Sequence, residues 1–339
     1  MPFGGNDWLS LTKEPTLEPE LPICDPHHHF WDLRPQSVPY QRYLIHELNA
    51  DIYGGHNVRS TVFLEARSMY RPDGPVELRP VGEVEFVQGL AAASASGVYG
   101  PSKAAAAIIG HADLKLAGNV APVLEALQAA SPNRFRGIRH SITWSPDPEL
   151  ENREPEGIVT NSDFLEGAKV LSQKGLTWDV MLSFPQMPEL ADFAKKVPDL
   201  SIILNHIGGP IGIGSYEGHA DEVMGAWKRS MDDLAVCANV TVKVGGLGMP
   251  FTGYGWHERD RPPTSDQLLA ANRDWYDYMI EQFGPDRGMF ESNFPVDKLS
   301  CSYTVLWNQF KKLTAEFSVT ERSAMFHDTA RRVYRLPLV

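Results

Sequence analysis

Short apolar runs alternate along this chain with longer stretches in which apolar residues recur at helical spacing. The short runs predict eight β-strands, at residues 21–25, 59–65, 106–111, 135–140, 176–182, 201–205, 240–244 and 288–293. The longer stretches predict α-helices at residues 83–94, 120–130, 163–173, 188–196, 221–237, 265–283 and 302–315. A last helix is predicted from the capping box Ser318-Val-Thr-Glu321 to about Tyr334.

This alternation of strands and helices favours a parallel sheet with both faces covered, because several strands are apolar without a polar face. An open doubly wound sheet and a (β/α)₈ TIM barrel share the pattern. No GxGxxG motif follows the first strand, and polar residues gather where strands end, as they do around the mouth of a barrel. We therefore predict one barrel domain over residues 21–339, with an N-terminal arm at residues 1–20. Long loops at residues 70–82, 144–161 and 245–263 are expected over its C-terminal mouth.

Composition narrows the range of partners. The 339 residues fit one such barrel with insertions, and the net charge of −12 argues against nucleic acid or an anionic membrane as a partner. The three cysteines are widely spaced, so a disulfide framework is not expected. With no evident signal peptide or membrane-spanning run, we expect a cytoplasmic protein acting on a small molecule. Homo-oligomerisation stays open.

The sequence CDPHHHFWD at residues 24–32 is the most informative stretch. Regular strand alternation would place Asp25, His27 and His29 on one face. Two imidazoles spaced in this way at the end of a strand can converge on one ion or one oxygen. The alternative is a fortuitous histidine triplet.

Two further stretches place polar groups at strand ends. His206 follows the apolar run SIIL and precedes a glycine-rich turn, where it could also be a helix cap. Glu291 and Asn293 share one face of the predicted last strand, about 6.6 Å apart. A carboxylate inside a barrel is costly unless it is paired or bound to metal.

Cationic and acidic residues near the predicted mouth are candidates for contact with the substrate. Arg139 and Lys243 could bind a substrate carboxylate or polarise a carbonyl, since a guanidinium offers a planar fork of donors. Glu65, Asp113 and Tyr70 are further candidates. For each of the charged residues, an ion pair without a catalytic role is the competing interpretation.

Together these motifs resemble the amidohydrolase superfamily, and most closely its lactonase-like branch of fuconolactonases and pyrone-dicarboxylate lactonases. The resemblance covers residues 22–336 and implies a (β/α)₈ fold with hydrolysis at a polarised carbonyl. The stretches that carry it are Asp25-Pro-His27-His-His29-Phe-Trp31, Gly110-His-Ala-Asp113-Leu114, Gly137-Ile-Arg139-His140, His206-Ile-Gly-Gly-Pro210 and Glu291-Ser-Asn293-Phe-Pro295.

Two departures from the family pattern concern its metal ligands. Where metal-dependent members have a histidine on the fifth strand, this chain has Asp179, which we predict to contact the substrate. Where they have an aspartate on the eighth strand, it has Asn293. Asparagine cannot act as a general base, so Glu291 is expected to supply the carboxylate. His27, His29, His206 and Glu291 could still hold one divalent ion, most simply Zn²⁺. Because the branch includes members that work without metal, we favour a site with no obligatory cofactor.

The resemblance therefore implies a lactonase-type hydrolase acting on a small cyclic ester that can carry negative charge. In it, Glu291 or a nearby carboxylate activates water, while His27, His29 and His206, with Asn293 beside them, bind the carbonyl oxygen. A metal-dependent decarboxylase of the same superfamily is the second hypothesis, weakened by the missing histidine and aspartate. The third is an inactive barrel that acts as a binding protein, an interpretation supported mainly by Asn293.

Overall fold

A computed structural model describes residues 5–34 and 40–337 and shows eight parallel strands in sequential order. The strands are β1 (Pro22–His28), β2 (Asn57–Leu64), β3 (Lys103–Gly110), β4 (Phe135–Arg139), β5 (Thr177–Val180), β6 (Ile202–Leu204), β7 (Val240–Val244) and β8 (Gly288–Phe290). The segment after β8 returns to β1, where the His29 amide donates to the Phe294 carbonyl at 2.8 Å. The predicted (β/α)₈ barrel in one domain is thereby confirmed as a nearly closed barrel.

Helices cover the outside of the strands, as predicted. They are α1 (Gly5–Leu9), α2 (Ile45–Ile52), α3 (Val81–Ala95), α4 (Val120–Ala130), α5 (Ser162–Gln173), α6 (Met187–Lys196), α7 (Ala220–Ala235), α8 (Ser265–Phe283), α9 (Tyr303–Leu313), α10 (Val319–Ser323) and α11 (Thr329–Val333). The last predicted helix is divided, because a π-helical turn at Ala324–Asp328 separates α10 from α11. Helices α1 and α2 were not predicted.

Alternate strand residues divide the core into two parts. Outward-facing residues such as Trp178 and Val242 pack beneath the helices, while inward-facing residues such as Val62 and Ile203 fill the barrel. Tyr334, just after α11, joins this inner cluster. The inner apolar layer supports the polar side chains that stand at the carboxyl ends of the strands.

Strand β1 is irregular, and this changes the position of one predicted residue. Its pairing with β2 shifts register between Asp25, which lies opposite Thr61, and His28, which lies opposite Phe63. The predicted alternation therefore fails at Asp25. Its carboxylate accepts a hydrogen bond from Tyr303 of α9 at 3.0 Å and does not join the histidines.

Strand β8 ends at Phe290, three residues earlier than predicted. Asn293 has a left-handed backbone with φ of 54°, so regular alternation does not extend to it. The side chains of Glu291 and Asn293 consequently have different partners, although both lie near the histidines.

The N-terminal segment lies along the outside of the barrel. Glu14 accepts hydrogen bonds from the Ser265 amide at 2.7 Å and hydroxyl at 2.6 Å at the start of α8, and from Asn308 of α9 at 3.0 Å. Cys24, Cys237 and Cys301 are free thiols, all buried. Among the described residues, no helix is both long and apolar enough to cross a membrane.

Candidate active site

The Glu291 carboxylate connects two histidines from different strands. Its Oε2 lies 2.5 Å from His27 Nδ1, and its Oε1 lies 2.7 Å from His206 Nδ1 and 3.0 Å from the His206 amide. All three side chains are buried. Because a carboxylate only accepts hydrogen bonds, the His206 Nδ1 that bonds to Glu291 carries the proton, and the Nε2 of His206 keeps a free lone pair.

The turn after β6 brings His206 to this carboxylate. His206 and Ile207 both have left-handed backbones, with φ of 54° and 47°, and two glycines with positive φ follow them. The loop after β7 makes room through glycine, since a Cβ on Gly245 would collide with Glu291 and one on Gly246 with His206. The ring centroids of His27 and His206 lie 4.6 Å apart, which confirms the predicted convergence of these two residues.

His29 adds a second free lone pair. Its Nδ1 lies 2.9 Å from the Leu64 carbonyl and must donate to it, so its Nε2 is the unprotonated nitrogen. This Nε2 lies 3.2 Å from His27 Nε2 and 3.4 Å from Asn293 Oδ1. Burial lowers the pKa of both His27 and His29 well below the ordinary value, helped by Lys243 at His27 and by Arg139 at His29. Both imidazoles are therefore neutral.

Arg139 contacts the histidine cluster and also lines a cavity of about 600 Å³. Its Nη1 lies 3.3 Å from His27 Nε2, and its Nε donates to Glu65 Oε1 at 2.9 Å, while Nη2 also donates to the Glu65 carbonyl. Both Arg139 and Glu65 line the cavity, as do residues 149–151 and 250–251 from two of the three predicted covering loops. The histidines lie beneath Arg139 in the barrel.

Lys243 and Asp179 lie inside the barrel and do not line the cavity. The Lys243 ammonium is 2.7 Å from Asp179 Oδ1, which also accepts from Tyr334 at 2.8 Å and Asn205 at 3.1 Å. Burial lowers the pKa of Lys243, opposed by Asp179 and Glu291. Strand alternation turns both side chains into the barrel, where they form this ion pair, and their contact with substrate stays a prediction.

Asp113 and Tyr70 also lie away from the cavity lining. Asp113 accepts from the Lys115 amide at 2.9 Å at the start of a helical turn, and its side chain is 39% exposed. The Tyr70 hydroxyl is buried, and its pKa is raised by burial and by the charges of Glu65 and Glu83.

Several polar residues of this region were not singled out from the sequence. Asp297 accepts from Asn293 Nδ2 at 2.9 Å, and burial raises the pKa of Asp297 to about 8. Its position four residues after Asn293 in the stretch MFESNFPVD could have indicated it. Arg34, Arg67 and Arg153 line the cavity, but their sequence surroundings carry no comparable signal.

The donor set is compatible with a cation. His27, His206 and Glu291 offer ligand atoms within 4.8 Å of one another. The 2.5 Å contact of Glu291 with His27 does not meet hydrogen-bond angles, which leaves His27 Nδ1 and Glu291 Oε2 without a hydrogen-bond partner among the described residues. The Nε2 atoms of His27 and His29, 3.2 Å apart, fit better because nitrogens on one tetrahedral zinc stand about 3.3 Å apart, and such an ion would displace Arg139 Nη1 from His27 Nε2.

Comparison with known proteins shows which family the chain belongs to. The sequence matches the family Amidohydrolase over residues 24–336. It is 34% identical to an uncharacterized protein, y4mH, of Sinorhizobium fredii, over 94% of this chain and 99% of that protein. It is 28% identical to an L-fucono-1,5-lactonase of Burkholderia multivorans, over 68% of this chain and 72% of the lactonase.

A solved structure shares the fold. The crystal structure of an amidohydrolase from Burkholderia multivorans with bound zinc superposes with a TM-score of 0.71 at 24% identity. The match covers 93% of this chain and 99% of that one.

Proposed function

This chain belongs to the amidohydrolase family, and we propose that it is a lactonase that opens a small cyclic ester with water. The observation that carries the proposal is the Glu291 carboxylate, which accepts a hydrogen bond from His206 Nδ1 and so leaves the Nε2 of His206 unprotonated inside the barrel. The similarity to an L-fucono-1,5-lactonase supports an ester rather than an amide or a carboxylic acid as the substrate.

In this proposal Glu291 acts through an imidazole rather than directly. Both of its oxygens face ring nitrogens, and none of its surface is exposed. His206 Nε2 has no partner among the described residues, so we assign it to take the proton from the attacking water. Glu291 then stabilises the imidazolium that forms, as a carboxylate does behind a catalytic histidine.

Arg139 is assigned to the carbonyl oxygen of the ester. Its guanidinium faces both the cavity and His27, and its position is fixed by Glu65. Hydrogen bonds from it would stabilise the oxyanion formed when water adds to the carbonyl. Collapse breaks the ring C–O bond, the His206 imidazolium returns its proton to the leaving alkoxide, and a hydroxy acid is released.

A divalent ion would be held by His27 Nε2 and His29 Nε2, with Asn293 Oδ1 beside them. When bound, such an ion would act as a Lewis acid that polarises the substrate carbonyl. We propose that it is not obligatory, because Arg139 already places a cationic donor 3.3 Å from His27 Nε2.

Decarboxylation, the second hypothesis, has less support. Its family mechanism relies on a fifth-strand histidine and an eighth-strand aspartate. At those positions this chain has Asp179, which is paired with Lys243, and Asn293, which donates to Asp297.

A lactone panel with a pH indicator tests the proposal. Wild-type protein should acidify solutions of aldonolactones, and His206→Asn should lose about 10²–10⁴-fold in kcat, the usual effect of removing a general base. His219→Asn, which changes a half-exposed histidine on the surface, is the matched control and should retain activity. Absence of turnover across the panel by folded wild-type protein would contradict the lactonase assignment and favour a binding protein.

A further inference from the structure

The cavity wall is positively charged although the whole protein carries a net charge of −12. Four guanidinium groups line it, those of Arg34, Arg67, Arg139 and Arg153. Three carboxylates, of Glu65, Glu149 and Glu151, also line it and leave one positive charge in excess. A local reversal of the overall charge indicates selection for an anion in the cavity.

Two of these arginines are already paired with carboxylates. Arg139 donates to Glu65, as described above, and Arg153 Nη2 donates to Glu151 at 2.8 Å. The Glu151 side chain is 69% exposed, so solvent screens that pair. Arg153 can therefore exchange this partner for a ligand at little cost.

Among the described residues, the other two make no hydrogen bond or ion pair to a carboxylate, although the charges of Glu65 and Glu83 act on Arg34. Arg34 Nη1 donates to the Ala66 carbonyl at 2.9 Å, and its guanidinium lies 4.5 Å from the centre of the Trp31 ring. These contacts fix the side chain but leave most of its N–H donors free. Arg67 is exposed, follows β2 and lines the same cavity.

The arginines also repel one another. Burial lowers the pKa of Arg34; the charges of Glu65 and Glu83 oppose this shift, and the smaller effects of Arg139 and Arg153 add to it. Burial likewise lowers the pKa of Arg153, with Arg67 and Arg139 adding to the effect and Glu151 and Glu65 opposing it. A bound anion would relieve this repulsion.

We propose that Arg34, Arg67 and Arg153 bind a carboxylate of the substrate that is separate from the ester to be cleaved. This inference rests on the proposed lactonase function and narrows it to lactones of dicarboxylic acids. The substrate would place its free carboxylate against these three residues at the cavity wall and its ring carbonyl against Arg139. The flat, forked guanidinium matches the two oxygens of a carboxylate.

Matched substrates test this assignment. An aldarolactone and the aldonolactone of the same ring differ only in a terminal carboxylate in place of a hydroxymethyl group. Wild-type protein should prefer the acidic lactone by about 10-fold or more in kcat/KM, the effect of a charge-assisted contact. Arg34→Gln should reduce this preference by a similar factor. Arg229→Gln, which removes an exposed charge on α7, should leave the preference unchanged.

Calorimetry can measure the binding of the two open-chain products, the dicarboxylate from the aldarolactone and the monocarboxylate from the aldonolactone. These measurements test the carboxylate site separately from the lactonase function. Tighter binding of the dicarboxylate that depends on Arg34, without turnover of any lactone, would contradict the lactonase function but support the carboxylate site. Equal kcat/KM for the two lactones in wild-type protein would overturn the carboxylate site while leaving lactone hydrolysis intact. A loss of preference in Arg229→Gln as large as that in Arg34→Gln would also overturn it.

Discussion

The Nε2 atoms of His27 and His29 lie 3.2 Å apart in the barrel, and each is the unprotonated nitrogen of a neutral imidazole. Two lone pairs at this distance need a positively charged neighbour. Arg139 Nη1 supplies one at 3.3 Å from His27 Nε2. The lone pair of His27 Nε2 therefore already faces a cationic group, which a metal ion bound to this nitrogen would have to displace.

Removal of divalent ions should leave lactone hydrolysis largely intact, within about 10-fold of the untreated rate. The reason is that Arg139 can stabilise the oxyanion without a metal. Elemental analysis of the chelated protein, combined with its rate, checks this. Loss of activity on chelation with recovery on adding Zn²⁺ would contradict the prediction.

Asn293→Asp should increase zinc affinity by about 10-fold or more, since it places an anionic oxygen where a neutral one faces His29 Nε2 at 3.4 Å. The raised pKa of Asp297 allows the new carboxylate to be accommodated, because a protonated Asp297 can donate to it. Competition titration with a chromophoric chelator measures the affinity. Asn133→Asp, an exposed substitution, is the control, and equal zinc affinity in the two variants would refute the assigned ligand position.

The sequence allowed the barrel and its strand ends to be predicted, and with them the convergence of His27, His29, His206 and Glu291. Strand alternation failed where the backbone is irregular. The register shift in β1 turned Asp25 toward Tyr303, and the early end of β8 left Asn293 in a left-handed conformation. The cavity residues Arg34, Arg67 and Arg153 were missed because they come from loops, whose approach depends on tertiary packing rather than on periodicity.

The stability of the protein should depend on Glu83 between about pH 4.5 and pH 8. Burial raises the pKa of Glu83 from 4.5 to about 8, with the charge of Glu65 adding to the effect. The folded state then binds a proton that the unfolded state has released, so the free energy of unfolding falls as pH rises through this range.

Glu83→Gln should flatten this dependence, because the amide keeps an acceptor for the Ala66 and Ser68 amides without a charge. At pH 8 the free energy of unfolding of the variant should exceed that of wild type by about 1 kcal/mol or more, the equivalent of one pKa unit. Urea unfolding at pH 6 and pH 8 measures it, with Glu85→Gln on the same helix as the exposed control. If the free energies of unfolding of Glu83→Gln and wild type were equal at both pH values, Glu83 would be ionised throughout this range and the prediction would be wrong.

The rate of lactone hydrolysis by Glu291→Gln, compared with wild type at equal folded fraction, tests the central claim most directly. Glutamine has nearly the same shape, but its NH₂ group would face a protonated Nδ1 of His27 or His206 and favour the wrong tautomer. We predict a loss of about 10²–10⁴-fold in kcat with KM nearly unchanged, because Glu291 orients the imidazoles and does not touch substrate. A Glu291→Gln protein with an unchanged kcat would contradict the account, whatever its melting temperature.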